Sequence, residues 1–208
     1  MKSLVDDIRN LTIITQAGPA PRFEYPQICA ALLLVGDEKM VGRTQLSKRL
    51  SLGEGTVRTI IRHLSSGGIV NSTKQGCTLT PKGKTIYRRL RARLSKICAV
   101  DARALALDTK SMAVLVKGAS RKVRQGLEQR DTAIRVGATG ACTLLMKNGK
   151  FVMPTGPDEW KMDLQDPLAK ELANIFNPED NDAIIITSAA QPDLAEYAAI
   201  AAGLTLVD

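Results

Sequence analysis

The chain has 208 residues, of which 44% are apolar, and its 29 basic and 21 acidic side chains give a formal net charge of +8. A chain of this length buries a sizeable core in one large or two small domains, and its apolar content excludes disorder throughout. Only 3% of the residues are aromatic. The excess of basic residues indicates an anionic partner, although net charge alone predicts only non-specific association.

The charge is distributed unevenly along the chain. Residues 39–97 hold 14 basic side chains and one acid, Glu54, whereas residues 151–208 hold 11 acids and two lysines. Such asymmetry favours a nucleic-acid partner for the basic part and a different task for the acidic part. Solvated charged helices are the alternative interpretation of the same pattern.

The four cysteines, Cys29, Cys77, Cys98 and Cys142, stand far apart without a Cys-x-x-Cys pair. This spacing disfavours a metal knuckle and a small secreted disulfide framework, so we expect reduced, mostly buried thiols. The N-terminal apolar run is a poor signal peptide, and every apolar stretch is too short to span a bilayer. The sequence therefore predicts a soluble, cytoplasmic protein with no cofactor and no metal site.

Three helices are predicted after an N-terminal arm at residues 1–24. The first runs from Pro26 to about Gly36 and the second from Thr44 to Leu50. The third begins after a break at residues 51–54. The third helix has one apolar stripe, formed by Val57, Ile60, Ile61 and Leu64.

The pattern changes from helical to strand-like after Gly67-Gly68. Residues 69–72 and 77–79 predict a hairpin, and Thr80-Pro81 starts a fourth helix with Thr80 as N-cap. The apolar positions of this helix are Ile86, Leu90, Leu94 and Ile97. Together these elements predict a winged helix-turn-helix over residues 25–98, in which Gly53 supplies a turn with positive φ.

The second half of the chain alternates between strand and helix patterns. Strands are predicted at residues 112–116, 141–146, 151–153, 183–187 and 204–207. Helices are predicted at about 121–130, in a further segment that reaches Val136, and at 167–176 and 192–202. Asn148-Gly149 is a two-residue hairpin signal. Residues 99–208 are therefore expected to form an α/β or α+β domain with a small mixed sheet, after a boundary near residues 98–110.

The winged helix offers a surface for duplex DNA. The face of the third helix opposite its apolar stripe is free to enter a major groove, while cations on the second helix and at the hairpin tip suit phosphates. The candidate DNA-binding residues are Arg43, Thr44, Lys48, Arg49, Thr56, Arg58, Thr59, Arg62, Lys74 and Gln75. Single-stranded nucleic acid is disfavoured because Tyr87 is the only aromatic residue between 39 and 97, which leaves no stacking platform.

Glycine-containing loops of the second half are candidate sites for a small anion, because backbone N–H groups at a helix N-terminus or a sheet edge attract phosphate or carboxylate. The candidate ligand-binding residues are Gly118, Ser120, Gly137, Thr139, Gly140, Thr187 and Ser188. The alternative is that these glycines only allow tight turns. We expect no catalytic residue, because the single histidine, His63, lies beside the DNA face without a partner for acid–base chemistry.

Several segments resemble an archaeal family of transcriptional regulators. They are GPAPRF at 18–23, GRTQLS at 42–47, LGEGTVRTI at 52–60, GATGA at 137–141 and AIIITS at 183–188. The resemblance implies a winged helix joined to a C-terminal domain of unknown function, and it brings no ligand. The segment LTPKG at 79–83 is shared with many winged-helix repressors and supports the fold more than the family.

The sequence thus predicts a DNA-binding transcriptional regulator that acts as a homodimer, with a C-terminal domain that senses a small anionic ligand, carries the dimer interface, or both. One alternative is a small-molecule kinase or transferase with a regulatory winged helix. The other is a transcription adaptor whose third helix packs against a protein.

Overall fold

The computed structural model describes residues 23–108, 110–154, 160–162 and 166–207. The chain divides into two compact units between Arg91 and Ala92. This division precedes the boundary expected near residues 98–110, because Leu94 already forms a β-bridge with Val116 of the second unit.

The described part of the first unit consists of three helices, a hairpin and a fourth helix. In chain order these are α1 Tyr25–Glu38, α2 Arg43–Arg49, α3 Glu54–Ser66, β1 Val70–Ser72, β2 Cys77–Leu79 and α4 Pro81–Arg91. The two strands pair antiparallel, and Val41 adds an isolated bridge to Cys77. This arrangement is the predicted winged helix-turn-helix. Of the predicted arm, residues 1–22 lie outside the described residues.

The core of this unit forms around α1. Every residue from Ile28 to Val35 is at most 5% exposed, which is typical of a helix that is apolar on all sides. The stripe of α3 packs inward as predicted, with Val57, Ile60 and Leu64 almost fully buried. The burial of these two helices fixes which face of α3 remains exposed.

The end of α1 is bound to α4 by one carboxylate. Tyr87 Oη donates a hydrogen bond of 2.7 Å to Asp37 Oδ1, and Arg91 forms an ion pair with the same side chain. The Tyr87 ring lies so close to Gly36 that a Cβ there would stand 2.2 Å from Cδ2. The close packing of the two helices therefore requires glycine at this position.

Thr80 caps α4, as the sequence predicts. Its Oγ1 accepts a hydrogen bond from Gly83 N at 3.0 Å and donates to Gly68 O at 2.7 Å. The predicted continuation of α4 through Leu94 and Ile97 is wrong. Their helical spacing suggested one long helix, but the chain leaves the helix at Arg91 because the backbone around Leu94 pairs with the sheet of the second unit.

The second unit is built on one antiparallel sheet flanked by helices. Its elements are β3 Cys98–Val100, β4 Ser111–Val116, α5 Leu127–Arg135, β5 Gly140–Lys147, β6 Lys150–Met153, β7 Trp160–Lys161, α6 Pro167–Phe176, β8 Ala183–Ser188 and α7 Pro192–Leu204. The described strands lie in the order β3-β4-β8-β5-β6-β7, and every neighbouring pair is antiparallel. Of the two predicted classes, the unit is therefore α+β.

The helices cover the two faces of this sheet. On one face, Leu168 and Leu172 of α6 pack with Ile184 and Ile186 of β8. On the other face lies α7, where a Cβ at Gly203 would touch the side chains of β4. α5 contacts both α7 and β5. The central strands β4, β8 and β5 are thus buried between two helical layers, which explains their unbroken apolar runs.

Two expectations for this unit are wrong. The helix expected at 121–130 is replaced by a 3₁₀ turn, Ser120–Lys122, and α5 begins only after Gly126, whose φ of 72° is left-handed. α5 instead coincides with the further helical segment expected to reach Val136. The strand expected at 204–207 is absent, because α7 continues to Leu204 and closes in tight turns. The short strand β3 lies in the segment of the expected domain boundary and pairs with β4.

Candidate nucleic-acid interface

The exposed face of α3 carries the residues predicted to read DNA. Arg58 and Arg62 are exposed and lie one helical turn apart. Within the described part of the chain, neither guanidinium has an ion-pair partner. Thr56 and Thr59 are half-buried, and the Thr59 hydroxyl donates to Gly55 O at 3.1 Å. The two arginines are therefore exposed on this face and available to a partner.

The turn between α2 and α3 takes its left-handed residue from an unexpected position. Ser51, not Gly53, has a positive φ, of 52°; Gly53 is extended at −62° and serves as the N-cap of α3. Ser51 N bonds to Lys48 O at 3.1 Å and Leu52 N to Ser47 O at 3.0 Å. These are the two bonds of a Schellman motif, in which the residue after the C-cap is left-handed. The expected role of Gly53 is therefore wrong.

The predicted residues of α2 differ in their surroundings. Arg43, Thr44 and Lys48 are exposed, and the Thr44 hydroxyl bonds to Glu54 Oε1 at 3.4 Å. Arg49 Nη1 lies 3.7 Å from a carboxylate oxygen of Glu38 at the end of α1. Arg49 is therefore partly neutralised within the fold.

The hairpin tip is held in one conformation by Thr73. Its backbone exchanges hydrogen bonds with Gly76 at 2.9 and 3.3 Å, and its Oγ1 accepts from Gln75 N at 3.2 Å. Lys74 and Gln75 stand exposed at the turn. Val41 pairs with Cys77 at the base of the hairpin, so the wing is fixed to the segment between α1 and α2.

Some basic residues of the first unit are engaged within the fold. Lys82 Nζ donates to Gly67 O at 2.8 Å and so satisfies a carbonyl at the C-terminus of α3. Arg91 is paired with Asp37. Lys39, which was not among the predicted site residues, is exposed just before Val41 at the base of the wing. In the sequence Lys39 follows two acids, Asp37 and Glu38, and no pattern around it predicts a position at the base of the wing.

His63 belongs to the packing behind the exposed face. Its ring meets Phe23 edge-on, with ring centroids 5.3 Å apart, and its Nε2 is buried with no hydrogen-bond partner among the described residues. Burial lowers the pKa of His63, and the neighbouring Arg62 charge lowers it further. The histidine therefore favours its neutral form.

The residues predicted to bind a small ligand fall into two groups at opposite ends of the central strands. Gly118 and Ser120 follow β4, at the end where Val116 pairs with Ala183. The remaining five lie at the other end, where Gly140 pairs with Ser188. The sheet therefore does not bring the seven residues into one site.

The second group is largely bonded within the fold. Thr187 is fully buried, and its hydroxyl donates to Ala195 O at 2.7 Å. The hydroxyls of Thr139 and Ser188 lie 3.3 Å apart. Gly137 adopts a left-handed φ of 106° beside Leu194. The sheet is also antiparallel, so it lacks the crevice beside the carboxyl ends of parallel strands in which open α/β sheets bind ligands.

The described residues contain no group of three or more side chains suited to hold a metal ion. They also contain no helix that has both the length and the apolar character to cross a membrane.

All four cysteines are free. Burial raises the pKa of the Cys29 and Cys142 thiols to about 12.

Two family models match the chain, one in each unit. Residues 26–85 match "PH0730-like, N-terminal domain", and residues 107–206 match a "Domain of unknown function (DUF4443)". A solved structure, the hypothetical protein PH0730 from Pyrococcus horikoshii OT3, is 33% identical, with a TM-score of 0.73. The match covers 89% of this chain and 93% of that chain. The chain belongs to the PH0730-like family.

The PH0730-like match extends over both the winged helix and the sheet unit. A MarR family protein from Mycobacterium tuberculosis, Rv2887, is 18% identical over 43% of this chain and 60% of that chain, with a TM-score of 0.32. An IclR transcriptional regulator from Alicyclobacillus acidocaldarius is 12% identical over 88% of this chain and 98% of that chain, with a TM-score of 0.28. Neither of these weaker similarities bears on the function of this PH0730-like chain. No curated protein matches it.

Proposed function

We propose that the protein is a DNA-binding transcriptional regulator. The winged helix of the first unit reads an operator in duplex DNA through α3, and the second unit senses a small ligand, carries a dimer interface, or both. The observation that carries this proposal is the division of α3 into a buried apolar stripe and an opposite face that presents Arg58 and Arg62.

The spacing on α3 suits a major groove. Arg58 and Arg62 are four residues apart, so their side chains leave the same face of the helix. Arginine pairs bidentately with the O6 and N7 atoms of guanine, which makes it the side chain most often used for specific base contacts. The rotation of the helix is fixed by packing, so the two side chains start from defined positions.

The surrounding cations suit the DNA backbone. Arg43 and Lys48 on α2 and Lys74 at the hairpin tip are exposed on separate elements. Contacts of this kind position a protein on the duplex without reading its sequence. Glu54 is the only acid between residues 39 and 97, so little within this segment offsets the attraction to phosphate.

Duplex DNA is favoured over single strands by the nature of the exposed residues. Single-strand binding relies on aromatic platforms for base stacking. Tyr87, the only aromatic residue of this segment, is turned toward Gly36 and bonded to Asp37. It is therefore not available as such a platform.

We propose a homodimer as the DNA-binding form, because one small module makes too few contacts for tight specific binding. Two recognition helices would then lie about 34 Å apart on one face of the duplex. Light scattering that reports a monomer both free and on DNA would remove this part of the proposal.

The salt dependence of binding tests the proposal. Fluorescence anisotropy with a labelled duplex is expected to show an affinity that falls steeply as salt rises, because phosphate contacts release counterions. Lys74→Ala is expected to weaken binding evenly across sequences and to reduce the slope of log K against log salt by about one. The matched control is Lys150→Ala, which removes an exposed lysine at a hairpin turn of the second unit. Equal slopes for all three proteins, or no binding to the duplex, would contradict the proposal.

The same titration distinguishes the adaptor alternative, and a separate turnover measurement distinguishes the enzyme. An adaptor that uses α3 to bind a protein would show no salt-dependent affinity for duplex DNA. A kinase or transferase would need acids placed to hold magnesium beside a bound phosphate, and turnover of a phosphoryl donor would identify it.

A further inference from the structure

A cleft in the second unit opens beside the loop that follows β4. It has a volume of about 590 Å³, which lies within the range of sites for small organic molecules. Three loops line it: residues 120–124 after β4, residues 147–148 at the β5–β6 turn, and residues 180–181 before β8. The cleft lies entirely within the second unit.

The described lining is mostly polar and carries cationic side chains. Val123, Leu145, Met146 and Pro154 are buried residues that leave little apolar surface in the cleft. Among the described residues of the lining, the cationic ones are Arg121, Arg124 and Lys147, and Asp180 is the one acid. The balance of charge among these residues is therefore positive.

The loops around the cleft are held by one buried carboxylate. Asp182 is only 6% exposed. Its Oδ1 accepts from Gly118 N at 2.8 Å and its Oδ2 from Glu179 N at 2.9 Å. Its backbone carbonyl accepts from Met146 N at 2.9 Å. One residue thus joins the loop after β4, the strand β5 and the loop before β8.

Further bonds complete this frame. Ser120 N donates to Asn181 O at 2.8 Å, and Asn181 N donates to Met146 O at 3.1 Å. Gly149 N donates to Asp180 Oδ1 at 3.0 Å, so the one acid among the described lining residues is already engaged by the β5–β6 turn. The shape of the cleft is therefore set by the fold before a ligand arrives, which reduces the entropic cost of binding.

We infer that this cleft binds a small organic anion, whose phosphate or clustered carboxylates meet Arg121 and Arg124 and whose remaining atoms occupy the rest of the cleft. Arginine forms paired, charge-assisted hydrogen bonds with both kinds of oxyanion. The inference rests on the proposed regulator for the role of the ligand as effector, but the binding itself does not depend on DNA. Of the predicted ligand-binding residues, Ser120 lines this cleft and Gly118 bonds to the carboxylate that frames it.

Isothermal titration calorimetry on the full chain without DNA tests the inference. The probes are adenosine monophosphate, citrate, inorganic phosphate and uncharged adenosine. We expect adenosine monophosphate or citrate to bind, and whichever of them binds identifies phosphate or carboxylate as the recognised group. Adenosine is expected to show no binding, and inorganic phosphate is expected to bind more weakly than the organic anion because it fills only a small part of the cleft.

Two double variants locate the site. Arg121→Gln with Arg124→Gln is expected to weaken binding by roughly tenfold or more, because it removes both guanidinium partners. Arg130→Gln with Arg135→Gln removes the same charge from exposed positions of α5 and is expected to bind like the unaltered chain. Absence of binding by both organic anions at millimolar concentration, or an equal loss in the two double variants, would overturn the inference. The salt titration with DNA is a separate measurement, so failure of the cleft and failure of DNA binding are distinguishable.

Discussion

At the scale of single residues, His63 shows how the fold decides the chemistry of a side chain. The sequence places it on α3 beside the face proposed to contact DNA. The structure packs its ring against Phe23 and leaves Nε2 buried without a hydrogen-bond partner among the described residues. Protonation would place a charge in this packing, beside the cation of Arg62. This is why the pKa of the histidine is lowered from 6.5.

The lowered pKa of His63 predicts a loss of stability in mild acid. Since the folded state binds the proton less readily than the unfolded state, the free energy of unfolding falls as the pH falls below about 6.5 and is fully retained above it. We expect the thermal unfolding midpoint of the unaltered chain to drop more between about pH 7.5 and pH 5 than that of His63→Phe. The phenylalanine keeps an aromatic ring against Phe23 but does not titrate.

Carboxylates also titrate in this range, but they are the same in both proteins, so the difference between the two curves isolates His63. Parallel curves would contradict the assignment of a lowered pKa.

At the scale of secondary-structure elements, the turn chemistry of the helix-turn-helix gives a prediction with a definite sign. Ser51 holds a left-handed φ of 52° at the end of α2, a conformation that costs a residue with a Cβ roughly 1 kcal/mol or more. Ser51→Gly removes this cost from the folded state. Glycine also makes the unfolded chain more flexible, which offsets part of the gain in the free energy of unfolding. We expect a net rise in the free energy of unfolding of about 0.5 kcal/mol, measured by urea denaturation.

Gly53→Ala is the comparison for Ser51→Gly. Gly53 has a φ of −62° and no atom within 4 Å of an added Cβ, so alanine is expected to fold without loss of stability. A destabilised Ser51→Gly together with a destabilised Gly53→Ala would restore the expectation that the special residue of this turn is Gly53.

The junction of β1 and α4 gives a second prediction at this scale. A Cβ at Gly83 would stand 2.1 Å from Ile69 O, and that carbonyl already accepts from Thr80 N at 3.0 Å. Gly83→Ala therefore pushes the wing away from α4, and we expect it to lower the free energy of unfolding by about 1–3 kcal/mol. Thermal or urea denaturation measures the change.

The matched control for Gly83→Ala is the same substitution in another helix. Gly55 in α3 has nothing within 4 Å of an added Cβ, and alanine favours a helix over glycine by up to about 1 kcal/mol. Gly55→Ala is therefore expected to leave stability unchanged or to raise it. Equal effects of the two substitutions would show that the contact with Ile69 is not the cause.

The elements differ in how well the sequence predicts them, for physical reasons. The apolar stripe of α3 depends on the spacing of nearby residues, and the cap at Thr80 depends on local hydrogen bonds. Both can therefore be predicted from the sequence. Leu94 continues the apolar spacing of α4 but pairs with Val116, a contact between residues far apart in the chain. The alternation at residues 204–207 suggests a strand, yet Leu206 and Val207 are buried in turns that close α7. Where tertiary contacts decide, local spacing misleads.

The candidate sites follow the same division. The exposed arginines of α3 are predictable because a single buried stripe fixes which face they occupy. The cleft depends on Asp182, which joins three separate segments through backbone hydrogen bonds. No spacing in the sequence brings Gly118, Met146 and Asp182 together, so only the prediction at Gly118 and Ser120 reaches this site.

At the scale of the whole molecule, the net charge of +8 conceals an uneven distribution of charge. Residues 39–97 are strongly basic, whereas residues 151–208 are acidic. The first segment forms most of the winged helix, and the second contributes β8, α6 and α7 to the sheet unit. An average over the chain therefore describes neither unit, and the expectation of a DNA partner applies to the first unit alone.

In-vitro selection from a random duplex library tests whether α3 reads base sequence in duplex DNA, as we propose. The unaltered chain is expected to enrich a defined motif. The Arg58→Ala, Arg62→Ala double variant is expected to retain salt-dependent binding through Arg43, Lys48 and Lys74 but to enrich no motif, because the base contacts are lost while phosphate contacts remain. Enrichment of the same motif by the double variant, or of no motif by the unaltered chain, would show that Arg58 and Arg62 do not read the base sequence.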